Sequence, residues 1–183
     1  GESVSPHLRT ESLLHEALQR SLFRLHFQPL FRIADMQLAG AEVLLRLSTS
    51  DGTPVPPSSF IPVAESTGQI AEISAWVLRR LCQQIRAWDH QGPSSLPFAL
   101  NLSAIELSQE DLTQRLHKIL SQEGIAPSRV HLEVTETAIA RNEAQARDNI
   151  SALRTAGFEV WLDDFGTGYS SLKLVKDLPV SGI

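Results

Sequence analysis

The sequence predicts an α/β fold built from parallel strand–helix–strand units, on three observations. Strand-like and helix-like segments alternate, with one unit about every thirty residues. The strand-like runs are apolar except where single oxygen-bearing side chains interrupt them. The chain has 183 residues, 42% hydrophobic and 20% charged, the balance of one globular domain able to bury a core. A doubly wound sheet and a (β/α)8 barrel both satisfy this pattern. A complete barrel takes roughly 250 residues and at least about 200, so the barrel reading makes this chain an incomplete one.

Thr10 followed by Glu11 is read as the cap of a first helix reaching Arg20, with Leu14 and Leu18 stacked on its apolar side. Leu25 to Leu30 and Leu38 to Leu47 read as two extended stretches around the polar turn Ala34-Asp35-Met36-Gln37, with Glu42 inside the second. Thr49 to Pro57 is rich in turn formers and reads as a surface loop, followed by a short helix through Phe60 and Val63.

Between Gln69 and His90, Ile73, Val77, Leu81, Ile85 and Trp88 recur at helical intervals, the clearest helix signal in the chain. Pro97 to Leu102 is strand-like, and Ser108 with Asp111 predicts a capping box opening a helix through Leu112, Leu116 and Ile119 that stops at Gly124. Val130 to Thr135 is the next strand, and a helix holding Ile150 and Leu153 ends at Gly157. Phe158 to Leu162 is strand-like again. Gly166 and Gly168 then precede a last short helix ahead of Pro179, and Val180 to Ile183 begins a further element.

Composition excludes several function classes. A formal charge of −5 offers no broad basic field for nucleic-acid backbone or an anionic membrane, so neither DNA, RNA nor a membrane is an expected partner. Cys82 is the single cysteine and has no internal disulfide partner, and no run approaches the roughly 18 apolar residues of a membrane span, so a cytoplasmic setting is the expectation. The opening Gly-Glu-Ser, without Met or a leader pattern, reads as an excised piece.

The chemistry sits on the strand interruptions. Glu42, Asn101, Glu133 and Asp163 follow one another at 59, 32 and 30 residues. In Phe98-Ala-Leu-Asn-Leu, alternation sends Asn101 away from Phe98, Leu100 and Leu102; Glu133 likewise opposes Leu132 and Val134, and Asp163 opposes Val160 and Leu162. In a barrel that face is the interior, and at strand ends it is the active-site rim. Carboxylates and one carboxamide without His or Cys form an oxygen site for Mg2+ or Mn2+ rather than zinc. Adjacent Asp163 and Asp164 suit two neighbouring ions. The bland alternative pairs each acid with its own Arg or Lys, or sets it at a helix cap.

Gln28-Pro29, Gly40-Ala41-Glu42-Val43-Leu44-Leu45-Arg46, Asn101-Leu102-Ser103, Glu133-Val134-Thr135-Glu136-Thr137 and Asp163-Asp164-Phe165-Gly166-Thr167-Gly168-Tyr169-Ser170-Ser171-Leu172 resemble, in order and spacing, the EAL-domain cyclic di-GMP phosphodiesterases. The resemblance implies one EAL-type domain over 1–183, with a helix over 1–20 and the first three-quarters of the barrel over 21–183. That barrel is a (β/α)8 TIM-like one whose first strand is antiparallel, hydrolysing cyclic di-GMP to linear pGpG with two Mg2+ or Mn2+ ions. Carried over by likeness, Glu42, Asn101, Glu133 and Asp163 hold one ion and Asp163 and Asp164 the second. Gln28, Leu44 and Arg46 line the substrate cleft, with Arg46 against phosphate. Glu136 anchors the loop from Asp164 through Ser171, which couples the metals to homodimer contacts. A sensory or GGDEF domain upstream is a further expectation.

Two departures from the family pattern stand out. Glu-Ala-Leu reads Glu42-Val43-Leu44, which keeps the carboxylate and exchanges one small apolar side chain for another. The family's Lys-x-Asp strand and its later glutamate and glutamine fall past Ile183, so the 183 residues alone are expected to turn over little substrate. The alternative function is a receptor of the same fold that binds the dinucleotide without cutting it. Asp164-Phe165-Gly166 lacks the companion motifs of a kinase. Cys82 reads as packed, the six histidines as scattered, and Arg79, Arg80 and Arg86 as a solvated face.

Overall fold

The computed structural model describes residues 5–92, 95–163 and 178–182. In chain order it contains helix α1 (Pro6–Arg20), strands β1 (Phe23–Phe31), β2 (Leu38–Ser48) and β3 (Pro54–Val55), helices α2 (Pro57–Thr67) and α3 (Ile70–Asp89), strand β4 (Phe98–Asn101), helices α4 (Ala104–Leu107) and α5 (Leu112–Glu123), strand β5 (Val130–Thr135), helices α6 (Glu136–Arg141) and α7 (Glu143–Thr155), and strand β6 (Glu159–Asp163). Asp164, the loop that follows it and the short helix expected before Pro179 lie outside the described residues.

The strands form one sheet in the order β1-β2-β4-β5-β6, with the two-residue β3 on the margin of β2. β1 is antiparallel to β2, and β2, β4, β5 and β6 run parallel. A doubly wound sheet reverses its order part-way and carries helices on both faces. Here the order never reverses, and one core holds Leu81 and Ile85 of α3, Leu116 and Ile119 of α5, and Ile150 and Leu153 of α7 against Leu132, Val134, Val160 and Leu162. The other face of these strands carries Asn101, Glu133 and Asp163, with His131 and Trp161 stacked below them. That is the outer ring and inner wall of a barrel segment, and it decides between the two architectures the sequence allowed.

A second core joins α1 and α2 to the ends of β1 and β2 through Leu14, Phe23, Leu47, Phe60 and Ile73. α3 therefore serves both cores, with Ile73 in one and Leu81 and Ile85 in the other. Its last turn is fixed by aromatic rings: Trp88 stacks on Phe98 at 5.5 Å and 15°, and Phe27 meets Trp88 edge-on at 4.9 Å. Arg129 adds a bidentate pair to Asp89 at 3.0 and 3.2 Å and donates to the carbonyl of Leu96 at 2.9 Å.

Some local expectations are corrected. The cap of α1 is Ser5, whose side chain accepts from Leu8 N–H; Thr10 instead donates back to Pro6 O at 3.1 Å. Pro6 at the first helical position explains the earlier start. Within the expected loop, Pro54 and Val55 pair with Ser48 and Leu47. The capping box lies at Ser103 and Glu106, opening α4; Asp111 precedes α5 with no side-chain cap bond. Arg86 is tied down, donating to Glu123 O at 3.2 Å and pairing with its carboxylate at 3.1 Å, while Arg79 and Arg80 are exposed as expected. Gly124 ends α5 with φ 69°, the left-handed conformation that favours glycine. Gly40 is needed for closeness: a Cβ there would lie 2.7 Å from Pro97 O.

Candidate active site at the strand ends

Each candidate side chain owes its direction to strand alternation and its height to register. Val130, Leu132 and Val134 of β5 are buried against helices, so His131, Glu133 and Thr135 face the other way. Val43 and Leu47 are buried in β2, which puts Glu42, Leu44 and Arg46 on the opposite face. Gln28 pairs with Glu42 across the antiparallel hairpin and shares its face.

Register then staggers the acids. Glu42 pairs with Ala99, two residues short of Asn101. Asn101 pairs with Glu133 at the same height. Glu133 pairs with Trp161, two short of Asp163, which pairs with Thr135. Every offset is zero or two, and two is the side-chain period, so all four groups stay on one face while climbing around the wall as strands in a tilted barrel do. Asn101 Nδ2 donates to Glu42 Oε1 at 3.2 Å, joining β4 to β2. Glu136 opens α6 immediately after Thr135, beside the end of β6.

β2 and β4 pair only at Ala41–Phe98 and Glu42–Ala99 and part above that point. A cavity of about 290 Å³ lies between these strands and helices α2, α3 and α5; Leu44, Arg46, Asn101 and Ser103 line it together with core side chains such as Ile73, Leu78 and Leu116. Its lining includes Glu106, which the sequence did not single out. Glu106 is 1% exposed. Its Oε2 accepts from the Ser103 hydroxyl at 3.0 Å, Ser74 bonds it from α3, and Arg115 of α5 stands 3.7 Å away. Burial pushes the Glu106 carboxyl above the usual carboxylate range, against the hydrogen bonds from Ser74 and Ser103 and the charge of Arg115. The network anchors the turn that follows Asn101. Ser103-x-x-Glu106 was the readable signal.

A raised folded-state pKa means that the native state holds the proton more tightly than the unfolded chain, so this stabilising effect is complete below the unfolded value and is lost as pH rises through the folded one. We expect Glu106→Gln, which keeps hydrogen-bonding capacity without the buried charge, to gain in melting temperature relative to the wild type as pH goes from about 5 to about 8. Thermal melts across that range check it; a difference independent of pH would refute the assignment.

The donor set fits hard divalent ions. It is rich in carboxylate oxygen, and the Asn101–Glu42 contact uses the amide nitrogen, leaving Oδ1 as that side chain's acceptor. Among the described residues no three His, Cys, Asp or Glu side chains alone close into an ion-holding group. Asn101 bonds to Glu42 and stands in register with Glu133 on the next strand, and Asp164 is outside the described residues. Cys82 is fully buried, its thiol pushed up to about 12 by burial, and is chemically inert. Among the described residues no helix is long and apolar enough to cross a membrane.

The family model for the EAL domain matches residues 11–183. The chain belongs to the EAL domain family. This EAL chain is 37% identical over 180 residues to the signaling protein YkoW of Bacillus subtilis, covering 98% of the chain and 22% of YkoW. It is 35% identical over 176 residues to the probable cyclic di-GMP phosphodiesterase PdeB of Escherichia coli, covering 96% of the chain and 33% of PdeB. Among solved structures, the PaMucR phosphodiesterase in complex with c-di-GMP superposes with a TM-score of 0.87 at 35% identity, over 94% of this chain and 70% of that one. The chain thus spans about a fifth to a third of these curated relatives, and its sheet, with antiparallel β1, is an EAL barrel wall.

Proposed function

We propose that this EAL chain is the N-terminal three-quarters of a domain that hydrolyses cyclic di-GMP to linear pGpG, and that Glu42, Asn101, Glu133, Asp163 and Asp164 hold its two Mg2+ or Mn2+ ions. The observation that carries the reading is the even stagger that keeps the described members of this set on one face, with Asn101 bonded to Glu42. Membership of the family and the likeness to PdeB and to the MucR complex support the substrate. Divalent ions bound there supply charge neutralisation for a phosphodiester and lower the pKa of a water.

The chain's own residues set the geometry. Arg46 faces the same side as Glu42, four residues on, and its guanidinium suits phosphate oxygens. Leu44 lines the cavity, and Gln28, opposite Glu42, continues the same strand face as the substrate-binding wall. Glu136, beside Asp163, holds the loop that starts at Asp164, and that loop carries the contact of a homodimer. The parent protein carries a sensory or GGDEF domain upstream and acts in the cytoplasm.

The full-length protein incubated with cyclic di-GMP and Mn2+ is the test, with chromatography of the products and a chelator control. Formation of pGpG that stops on chelation is the expected result. Binding without any cleavage would replace the phosphodiesterase by a receptor, and neither binding nor cleavage would overturn the proposal. Ca2+ is expected to support binding with poor turnover, because its longer, looser coordination disturbs a tight two-ion arrangement.

A further inference from the structure

β1 pairs Arg24 directly with Arg46. The two guanidinium stems leave the same face of the hairpin, because Phe23, Leu25 and Phe27 turn to the helices and Val43 and Leu47 do likewise on β2. Like charges directly opposite one another on an antiparallel pair are destabilising. Among the described residues neither arginine has an ion-pair partner; Arg46 Nη1 donates to the carbonyl of its own neighbour, Leu45, at 3.0 Å. In a chain of net charge −5, with seven ion pairs elsewhere among the described residues, an uncompensated basic pair on the active-site face calls for an anion.

Position says which part of the ligand that anion is. Arg46 lies four residues beyond Glu42 on one strand face, a rise of roughly 13 Å at about 3.3 Å per residue, which long arginine side chains shorten. The acids mark where one phosphodiester is cut. A cyclic dinucleotide carries a second phosphodiester across its ring, and the arginine pair stands on the same face, displaced toward the open end of the wall.

We infer that Arg24 is a substrate-binding residue that acts with Arg46 as a two-guanidinium clamp on the phosphodiester that is not cut. Two planar forks on neighbouring strands receive the non-bridging oxygens of one phosphate from two directions, and the anion relieves their repulsion. Arg24 would thereby favour ligands with two phosphodiesters over those with one. His26, next along β1 on the same face and paired with Leu44, continues the wall between the clamp and Gln28. This rests on the cyclic dinucleotide reading above.

The test uses Arg24→Gln and Arg24→Lys in the full-length protein. Wild type is measured first: if it neither binds nor cleaves cyclic di-GMP, the functional reading itself fails. With an active wild type, Arg24→Gln is expected to raise KM for cyclic di-GMP about tenfold, the loss of roughly one charge-assisted hydrogen bond. kcat should stay within about threefold, and the melting temperature should hold or rise as the like-charge pair is removed. Arg24→Lys restores part of the loss, since it keeps the charge but not the fork. The dependence of KM on salt is shallower in Arg24→Gln. A KM within twofold of wild type, or a loss confined to kcat, overturns the inference while leaving the phosphodiesterase reading intact.

Discussion

Glu42→Gln in the full-length protein is expected to lower kcat for cyclic di-GMP by about 100-fold or more, with little change in melting temperature. The side chain is half-exposed and packs no core, so stability has little to lose. Its position explains the large effect on activity. Glu42 occupies the last ladder pair that joins β2 to β4, faces Gln28 across the hairpin and accepts from Asn101. Glutamine keeps the size and one oxygen but removes the charge that an ion bridging β2 to β4 would need, and losses of 10²–10³ follow removal of even single preorganised electrostatic groups. Turnover should be measured beside the Mn2+ concentration needed for half-maximal rate, which should rise. Activity within twofold of wild type at ordinary Mn2+ would dismiss Glu42 as a ligand.

The largest stability loss is expected from Phe98→Ala. Phe98 is 5% exposed at the start of β4, stacked on Trp88 and edge-on to Phe27 at 6.1 Å. Truncating a buried phenylalanine costs about 3–5 kcal/mol, and loss of the ring contacts puts this case near the upper end. For a domain of this size about 5 kcal/mol lowers the melting temperature by roughly 10–20 °C. Denaturant titration of wild type and mutant gives the difference directly, and a value under about 1.5 kcal/mol would show that Trp88 and Phe27 close over the gap. Because Phe98 holds the strand that ends in Asn101, the mutant should also bind metal more weakly at temperatures where it remains folded.

Much of the site was legible in the chain itself. The alternation around Asn101, Glu133 and Asp163 states which face each occupies, and burial of Leu132, Val134, Val160 and Leu162 agrees with it. The long amphipathic period of α3 predicted its core face, with Ile73, Leu81 and Ile85 buried. Caps were read less well. Ser108-x-x-Asp111 and Ser103-x-x-Glu106 look alike in a string of letters, and only the latter has the longer acid that reaches back to its own cap N–H. Only the Ser103–Glu106 part of the network was readable; Ser74 and Arg115 come from two other helices, and nothing local announces that they meet Glu106.

The division has one physical root. A strand's side-chain period is a property of the backbone, so the sequence by itself determined that an amide and three acids would share a face, and its ordered motifs determined the family. Which residue stands opposite which is a non-local matter of register, settled by hairpin geometry, by the irregularity between Leu30 and Phe31, and by the packing of α3, α5 and α7 on one side of the sheet. Only the tertiary structure therefore decided the stagger that brings Asn101 to Glu42, the parting of β2 from β4, and the confrontation of Arg24 with Arg46.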